Sequence, residues 1–172
     1  MSFRTIAAAA GIALVLVYAI GSSLWVNTGD NWYANLNKPS WQPPGFIFGI
    51  IWPYNFVVIG IASVLVAQRA SKISTTLYLT FFALSVAAAL TWAFQFYRPH
   101  NFLASAIALT AAALLTIPMT YIISTISIPM AIAFAPYQIW VAIAATLSWS
   151  YWELANLLPA SNNVQSGGIT SS

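Results

Sequence analysis

The sequence predicts an all-α integral membrane protein, a bundle of five transmembrane helices. Three observations carry this. The 172-residue chain is 60% hydrophobic and 4% charged, whereas a water-soluble domain carries roughly a quarter charged residues. The charged side chains, Arg4, Asp30, Lys38, Arg69, Lys72, Arg98 and Glu153, punctuate long apolar runs. Most of those runs are close to the 20 or so residues a helix needs to cross a bilayer.

Taken in order, the first helix is expected over about 6–26, the second over 46–67 and the third over 77–97. The uncharged stretch from Pro99 to Trp152 is too long for one crossing. It breaks at STISIP, Ser124–Pro129, giving a fourth helix over 102–123 and a fifth over 130–153. One domain of residues 1–156 follows, with a tail over 157–172 that reads as polar, Gly/Ser-rich and disordered. Arg4 followed by an apolar run resembles a secretory leader, but the run is long and has no clean A-x-A site, so an uncleaved helix is expected. Pro53, Pro118 and Pro136 fall inside spans, where neighbouring helices must compensate for the freed carbonyls.

Five crossings put the first and third interhelical loops and the C-terminus on one side, here called the loop-1 side. Arg4, Arg69 and Lys72 lie opposite, against Lys38 and Arg98 on the loop-1 side. The positive-inside rule therefore favours a cytoplasmic N-terminus, three cations to two. The membrane itself, a bacterial envelope membrane or an organellar one, is left open.

The chemistry that is missing narrows the function. There are no cysteines, and the single His100 has no companions for a metal site. Both acids, Asp30 and Glu153, sit at helix ends, unlike the intramembrane carboxylates of proton-coupled pumps. No phosphate loop or nucleophile–base motif occurs. The five Lys/Arg are dispersed along the chain, so neither nucleic acid nor a specific anionic lipid is expected as a partner.

The aromatic residues are not dispersed. WYANLNKPSWQPPG, Trp32–Gly45, packs two Trp, one Tyr and three Pro into the loop before the second span. Proline fixes φ and makes the preceding residue extended, so this loop loses little entropy on ordering. It suits a lid, with Trp32, Tyr33 and Trp41 as its aromatic face and Lys38 as a cation at its rim. Trp25, Trp52, Trp92, Trp149 and Trp152 also belong to the loop-1 half, and Trp140 lies near mid-membrane. An anchoring belt decorates both interfaces. A one-sided set points to an aromatic-walled cavity opening towards the loop-1 side.

Helical periodicity assigns the walls. Tyr137, Trp140, Ala144, Ser148 and Tyr151 form one stripe of the fifth helix, and Gly45, Gly49, Trp52, Phe56, Gly60 and Ser63 form one of the second. Small residues permit close helix approach, and Gly45-x-x-x-Gly49 also fits a dimerisation face.

At these residues the chain resembles the translocator protein / tryptophan-rich sensory protein family (TspO/MBR, the peripheral benzodiazepine receptor family). That family carries W-Y-x-x-L-x-K-P-x-W-x-P-P before its second helix and a Trp within it, as Trp32–Pro44 and Trp52 do here. PYQIW, Pro136–Trp140, followed by Ser148-Trp149 and Asn156, extends the likeness to the fifth helix. The resemblance implies a five-helix bundle, commonly a homodimer, with a pocket near loop 1. It implies a porphyrin or haem-type tetrapyrrole as ligand, with no obligatory cofactor and no metal. The implied role is regulatory or sensory, or transport, in tetrapyrrole metabolism. Light-dependent porphyrin breakdown using Trp52 and Trp140 is one alternative, and transport of tetrapyrroles or sterols another. The expected ligand-binding residues are Trp32, Tyr33, Lys38, Trp41, Trp52, Phe56, Tyr137, Trp140 and Ser148. One departure stands out. Many members carry Gln and Asn late in the third helix, where this chain reads ALSVAAALTW (83–92) with Ser85, Ala88 and Ala89 and no amide. No base follows Tyr151, which removes the sequence pattern associated with cholesterol.

Overall fold

The computed structural model describes residues 1–165, with side-chain surroundings through Leu157. The described chain is helical and without strands: α1 (Phe3–Trp25), α2 (Asn31–Ala34), α3 (Gly45–Arg69), α4 (Lys72–Tyr97), α5 (Phe102–Ser124) and α6 (Ile128–Gln165). All but the one-turn α2 are long and apolar enough to cross a membrane, five in all. The chain is an integral, multi-pass membrane protein whose surroundings are the lipid bilayer.

The helix starts follow from short polar side chains. Ser2, Ser71 and Asn101 each accept a hydrogen bond from a first-turn amide of α1, α4 and α5, which satisfies a donor that has no partner within the helix. Ser71 begins α4 five residues earlier than the apolar run alone indicates. Its hydroxyl accepts from Ser74 N at 3.1 Å, and the polar turn is helical despite its composition. At the other end α6 runs on to Gln165, past the expected end near 153 and into the expected tail. Residues 166–172 lie outside the described residues.

The five long helices close a ring. α1 packs against α3 and α4, α4 against α5, and α5 against α6, while α3 completes the ring by a lighter seam with α6. The core is aromatic and aliphatic, centred on Tyr78, Phe82, Phe134 and Tyr137. Two glycines set the α1 spacings. A Cβ on Gly11 would stand 2.5 Å from the Cβ of Ser63, and one on Gly21 would meet Leu90 at 2.8 Å. Gly45 and Gly49 behave differently, since a Cβ on either meets nothing within 4 Å. Their part of the predicted stripe faces outward, whereas Trp52, Phe56, Gly60 and Ser63 face α1.

Pro53, Pro118 and Pro136 do not end their helices. Neighbouring helices bond to carbonyls close to two of them. Gln138 Nε2 of α6 donates to the carbonyl of Ala113, just over a turn before Pro118, at 3.1 Å. Tyr54 OH of α3 donates to the carbonyl of Ala133, just before Pro136, at 2.7 Å. Both bonds tie a proline-containing segment to the adjacent helix, the kind of support that makes proline tolerable in a lipid-facing bundle.

The fold also gathers charges that the sequence scatters. Arg4 and Lys72 line one cleft, together with Ala67 of α3 and Ala70 just after it, and Arg69 stands between those two alanines in sequence. Three of the five cations thus share one end of the bundle. The expectation that the chain has no basic cluster holds along the sequence and fails in space, because α1, α3 and α4 all place an end here.

Candidate functional site: an aromatic seam beneath a docked loop

Loop 1 begins with Asp30, whose carboxylate accepts from Tyr33 N at 2.8 Å and caps the single turn α2. That turn delivers Trp32 and Tyr33 onto the bundle. Trp32 stacks on His100, centroids 3.8 Å apart and planes 14° from parallel. It also meets Phe96 edge-on at 5.9 Å. His100 adopts φ 57° in the turn between α4 and α5, a left-handed backbone that turns the chain tightly there. Tyr33 OH accepts from Gln42 Nε2 at 3.3 Å, and Tyr151 OH of α6 donates to Gln42 Oε1. Lys38 Nζ sits 4.7 Å from the centre of the Tyr33 ring. The loop therefore caps the end of the bundle, in the place where the sequence suggested a lid. Trp41 is the exception among its aromatics, at 45% exposure.

Beneath the loop, Phe96, Leu147 and Tyr151 form a small core with Trp32, Tyr33, Phe48 and Phe102 packed around it. Phe48 of α3 is the link to the seam below. Its ring meets Trp140 of α6 edge-on at 5.1 Å. One turn further along α3, Trp52 stacks loosely on Phe56 at 5.7 Å, and Tyr18 of α1 meets both edge-on. The Phe48–Trp140 contact and the Trp52–Phe56–Tyr18 group are thus offset along α3 by about one helical turn, or roughly 6 Å. Trp52 and Trp140 do not face each other ring to ring, because Phe48 is the ring that meets Trp140.

The predicted stripe of α6 is on the inner face, with Tyr137, Trp140, Ser148 and Tyr151 all buried. Ser148 is already engaged. Its hydroxyl accepts the Trp92 indole N–H at 2.8 Å, so its evident work is to hold Trp92. Tyr137 is 1% exposed and packs edge-on against Phe134.

Among the described residues, three buried side-chain polar atoms lack a hydrogen-bond partner, and all belong to two residues: Nδ2 and Oδ1 of Asn55, and Nε1 of Trp140. Leaving a buried donor or acceptor unmatched costs roughly 1–3 kcal/mol. Asn55 is fully buried and lies seven residues from Phe48, hence on the same face of α3 and about 10 Å deeper. The side chain of Trp140 leans towards the N-terminus of α6, which is the direction of Asn55. Asn55 is absent from the ligand-binding residues expected from the sequence. So are Phe48, Tyr18 and His100. An Asn at a position with helical spacing from Trp52 was the available signal; for His100 there was none.

A ring of five membrane-spanning helices, capped by an aromatic loop and carrying a Trp-lined seam, defines the class: a tryptophan-rich polytopic membrane protein. The particular family is the TspO/MBR family, whose model matches residues 8–153, and this chain belongs to it. It is 30% identical over 133 residues to the tryptophan-rich protein TspO of Bacillus cereus, covering 77% of this chain and 86% of that protein. It is 28% identical over 124 residues to protein CrtK of Rhodobacter capsulatus, covering 72% and 78%. The human translocator protein is 28% identical over 138 residues, covering 77% and 80%.

Proposed function

We propose that this chain binds a planar, largely apolar ligand, a tetrapyrrole such as a porphyrin, in the α3–α6 seam beneath loop 1. The role that follows is regulatory or sensory, or transport, in tetrapyrrole metabolism. The observation that carries the reading is the pair of unmatched polar groups in an aromatic wall. Indole and phenyl faces supply area and stacking geometry. The Trp140 N–H and the Asn55 amide supply two donors and one acceptor for the few polar atoms of such a ring. Asn55 then serves from α3 as the amide that other members carry late in the third helix. Loop 1 closes over the ligand, with Tyr33 and Trp32 inward and Lys38 available to a propionate. A homodimer is part of this reading, with the outward Gly45 and Gly49 as a contact face.

The test is tryptophan fluorescence quenching, titrated with protoporphyrin IX, haemin and cholesterol. Trp52→Leu and Trp140→Leu should each weaken porphyrin binding about three- to tenfold, from roughly 0.5–1.5 kcal/mol of stacking beyond the area lost. Asn55→Leu should weaken it by a similar factor while raising thermal stability, because it removes two unmatched polar atoms. Normal porphyrin affinity in all three variants would sink the seam as the site. Illumination of the same samples addresses the enzymatic alternative: porphyrin loss in wild type, abolished by Trp140→Leu without loss of binding, would put photochemical breakdown ahead of simple binding.

A further inference from the structure

The end of the bundle opposite loop 1 carries a different kind of site. Between α1 and α3 runs an apolar groove of about 610 Å³, walled by Ile12, Val15, Val57, Ile61 and Val64 and ending at Gln68 and Arg69. Its floor is low at Gly60, where a Cβ would already touch Ile12 at 3.5 Å. From Phe56 to Arg69 the groove follows thirteen residue steps of α3, about 20 Å at 1.5 Å per step. That exceeds half of a hydrocarbon core about 30 Å thick. At Ala70, the residue after Arg69, the chain reaches a second cavity of about 430 Å³ edged by Ser2, Arg4, Ser71 and Lys72. Arg4, Arg69 and Lys72 are all exposed. Lys72 is held over the Phe3 ring at 5.8 Å. Both acids of the chain are at the other end, where Asp30 and Glu153 offset Lys38 and Arg98. The whole formal charge of +3 is therefore concentrated here.

We propose that the groove and the basic cleft at its mouth hold one molecule of an anionic phospholipid. One acyl chain lies along the α1–α3 groove, and the phosphodiester and its anionic headgroup sit among Arg4, Arg69 and Lys72. The choice of an anionic over a zwitterionic lipid rests on charge complementarity. Guanidinium groups pair with phosphate oxygens through two parallel N–H donors, and three uncompensated cations repel a headgroup that ends in an ammonium. An apolar groove without a cation would select no headgroup. A surface cation cluster without a groove would bind headgroups loosely and exchange them freely. The juxtaposition of the two makes a lipid site.

Native mass spectrometry of the full chain in neutral detergent tests this, with palmitoyl-oleoyl phosphatidylglycerol and phosphatidylcholine as probes. Wild type should retain one phosphatidylglycerol in preference to phosphatidylcholine. Each cation near a membrane surface contributes about fivefold to such binding. The triple variant Arg4→Gln/Arg69→Gln/Lys72→Gln should therefore lower phosphatidylglycerol retention about a hundredfold and leave phosphatidylcholine retention unchanged. Lys38→Gln/Arg98→Gln, at the other end, should change neither. Ile61→Trp fills the groove at an exposed position with every charge intact, and should also release phosphatidylglycerol. Retention within twofold of wild type in the triple variant overturns the proposal. So does an equal loss in the Lys38/Arg98 pair, which would mean diffuse surface charge, or full retention in Ile61→Trp. Matched helical circular dichroism confirms that each variant is folded.

Discussion

The two ends of this bundle are built from different chemistry. The loop-1 end has balanced charge, three prolines in one connection and a dense aromatic cluster in which Trp32, His100, Phe96 and Tyr151 interlock. The opposite end has no tryptophan, two short connections and three cations around an apolar groove. Aromatic packing is short-ranged and directional, so the first end requires a loop that is held in one place. Coulombic attraction is longer-ranged and tolerant of geometry, so the cations of the second end act from exposed positions. One helical ring therefore presents an aromatic end and a cationic end, which separate substitutions can disturb one at a time.

The sharpest break is topological. Single cysteines at Ser40, Ser71 and Asn156, all exposed positions, can be labelled with an impermeant thiol reagent on oriented vesicles, since the chain has no cysteine of its own. Positions 40 and 156 should label together and position 71 only after permeabilisation, or the reverse. Co-labelling of 40 and 71 without 156 would place the two ends on one side and end the comparison.

Next in size is the spacing of α1. Gly11→Leu drives a side chain into Ser63 of α3, and overpacking of this kind costs about 1–3 kcal/mol or more. The melting temperature in detergent should fall by several degrees. Gly49→Leu enters open space and should leave the melt unchanged; if the proposed homodimer uses this face, the change should appear only as a shift towards monomer on size exclusion. A fall in melting temperature equal to that of Gly11→Leu would mean that Gly49 is an internal packing position.

A smaller effect is expected at the lid. Gln42 joins Tyr33 to Tyr151, and a hydrogen bond contributes about 0.5–1.5 kcal/mol. Gln42→Ala should speed amide exchange in residues 30–44 several-fold and leave residues 67–75 unchanged. Matching acceleration at both ends would show that the ends are coupled through the bundle. The smallest effect belongs to Trp152→Leu. Trp152 contacts Trp149 at the end of the last span, and its loss should alter porphyrin quenching little. A loss as large as that of Trp140→Leu would move the ligand to the membrane surface.

How much of this was legible beforehand follows from which forces act locally. Helix number and approximate bounds came from hydropathy and charge punctuation, because a span in lipid must be about 20 apolar residues long whatever its neighbours do. The inward stripe of α6 and the role of the WYANLNKPSWQPPG loop as a cap followed from periodicity and proline stiffness. The early start of α4 was lost because a hydropathy run does not register a serine cap. Helix α6 beyond residue 153 was lost for the complementary reason, since polar composition was read as the end of helical structure.

By itself, then, the sequence determined a five-helix membrane protein with a tryptophan-rich half, since composition and period are properties of single segments. Only the tertiary structure decided which residues meet. It paired Trp140 with Phe48 and kept it from stacking on Trp52. It engaged Ser148 with Trp92, and it buried the Asn55 amide with no partner. It also brought Arg4, Arg69 and Lys72 to one rim, although the first and last are 68 residues apart in sequence. The physical reason is that contacts across a helix ring depend on rotation and offset between helices. Those are set jointly by close-approach glycines such as Gly11 and Gly21 and by bulky neighbours, and no single segment carries that information.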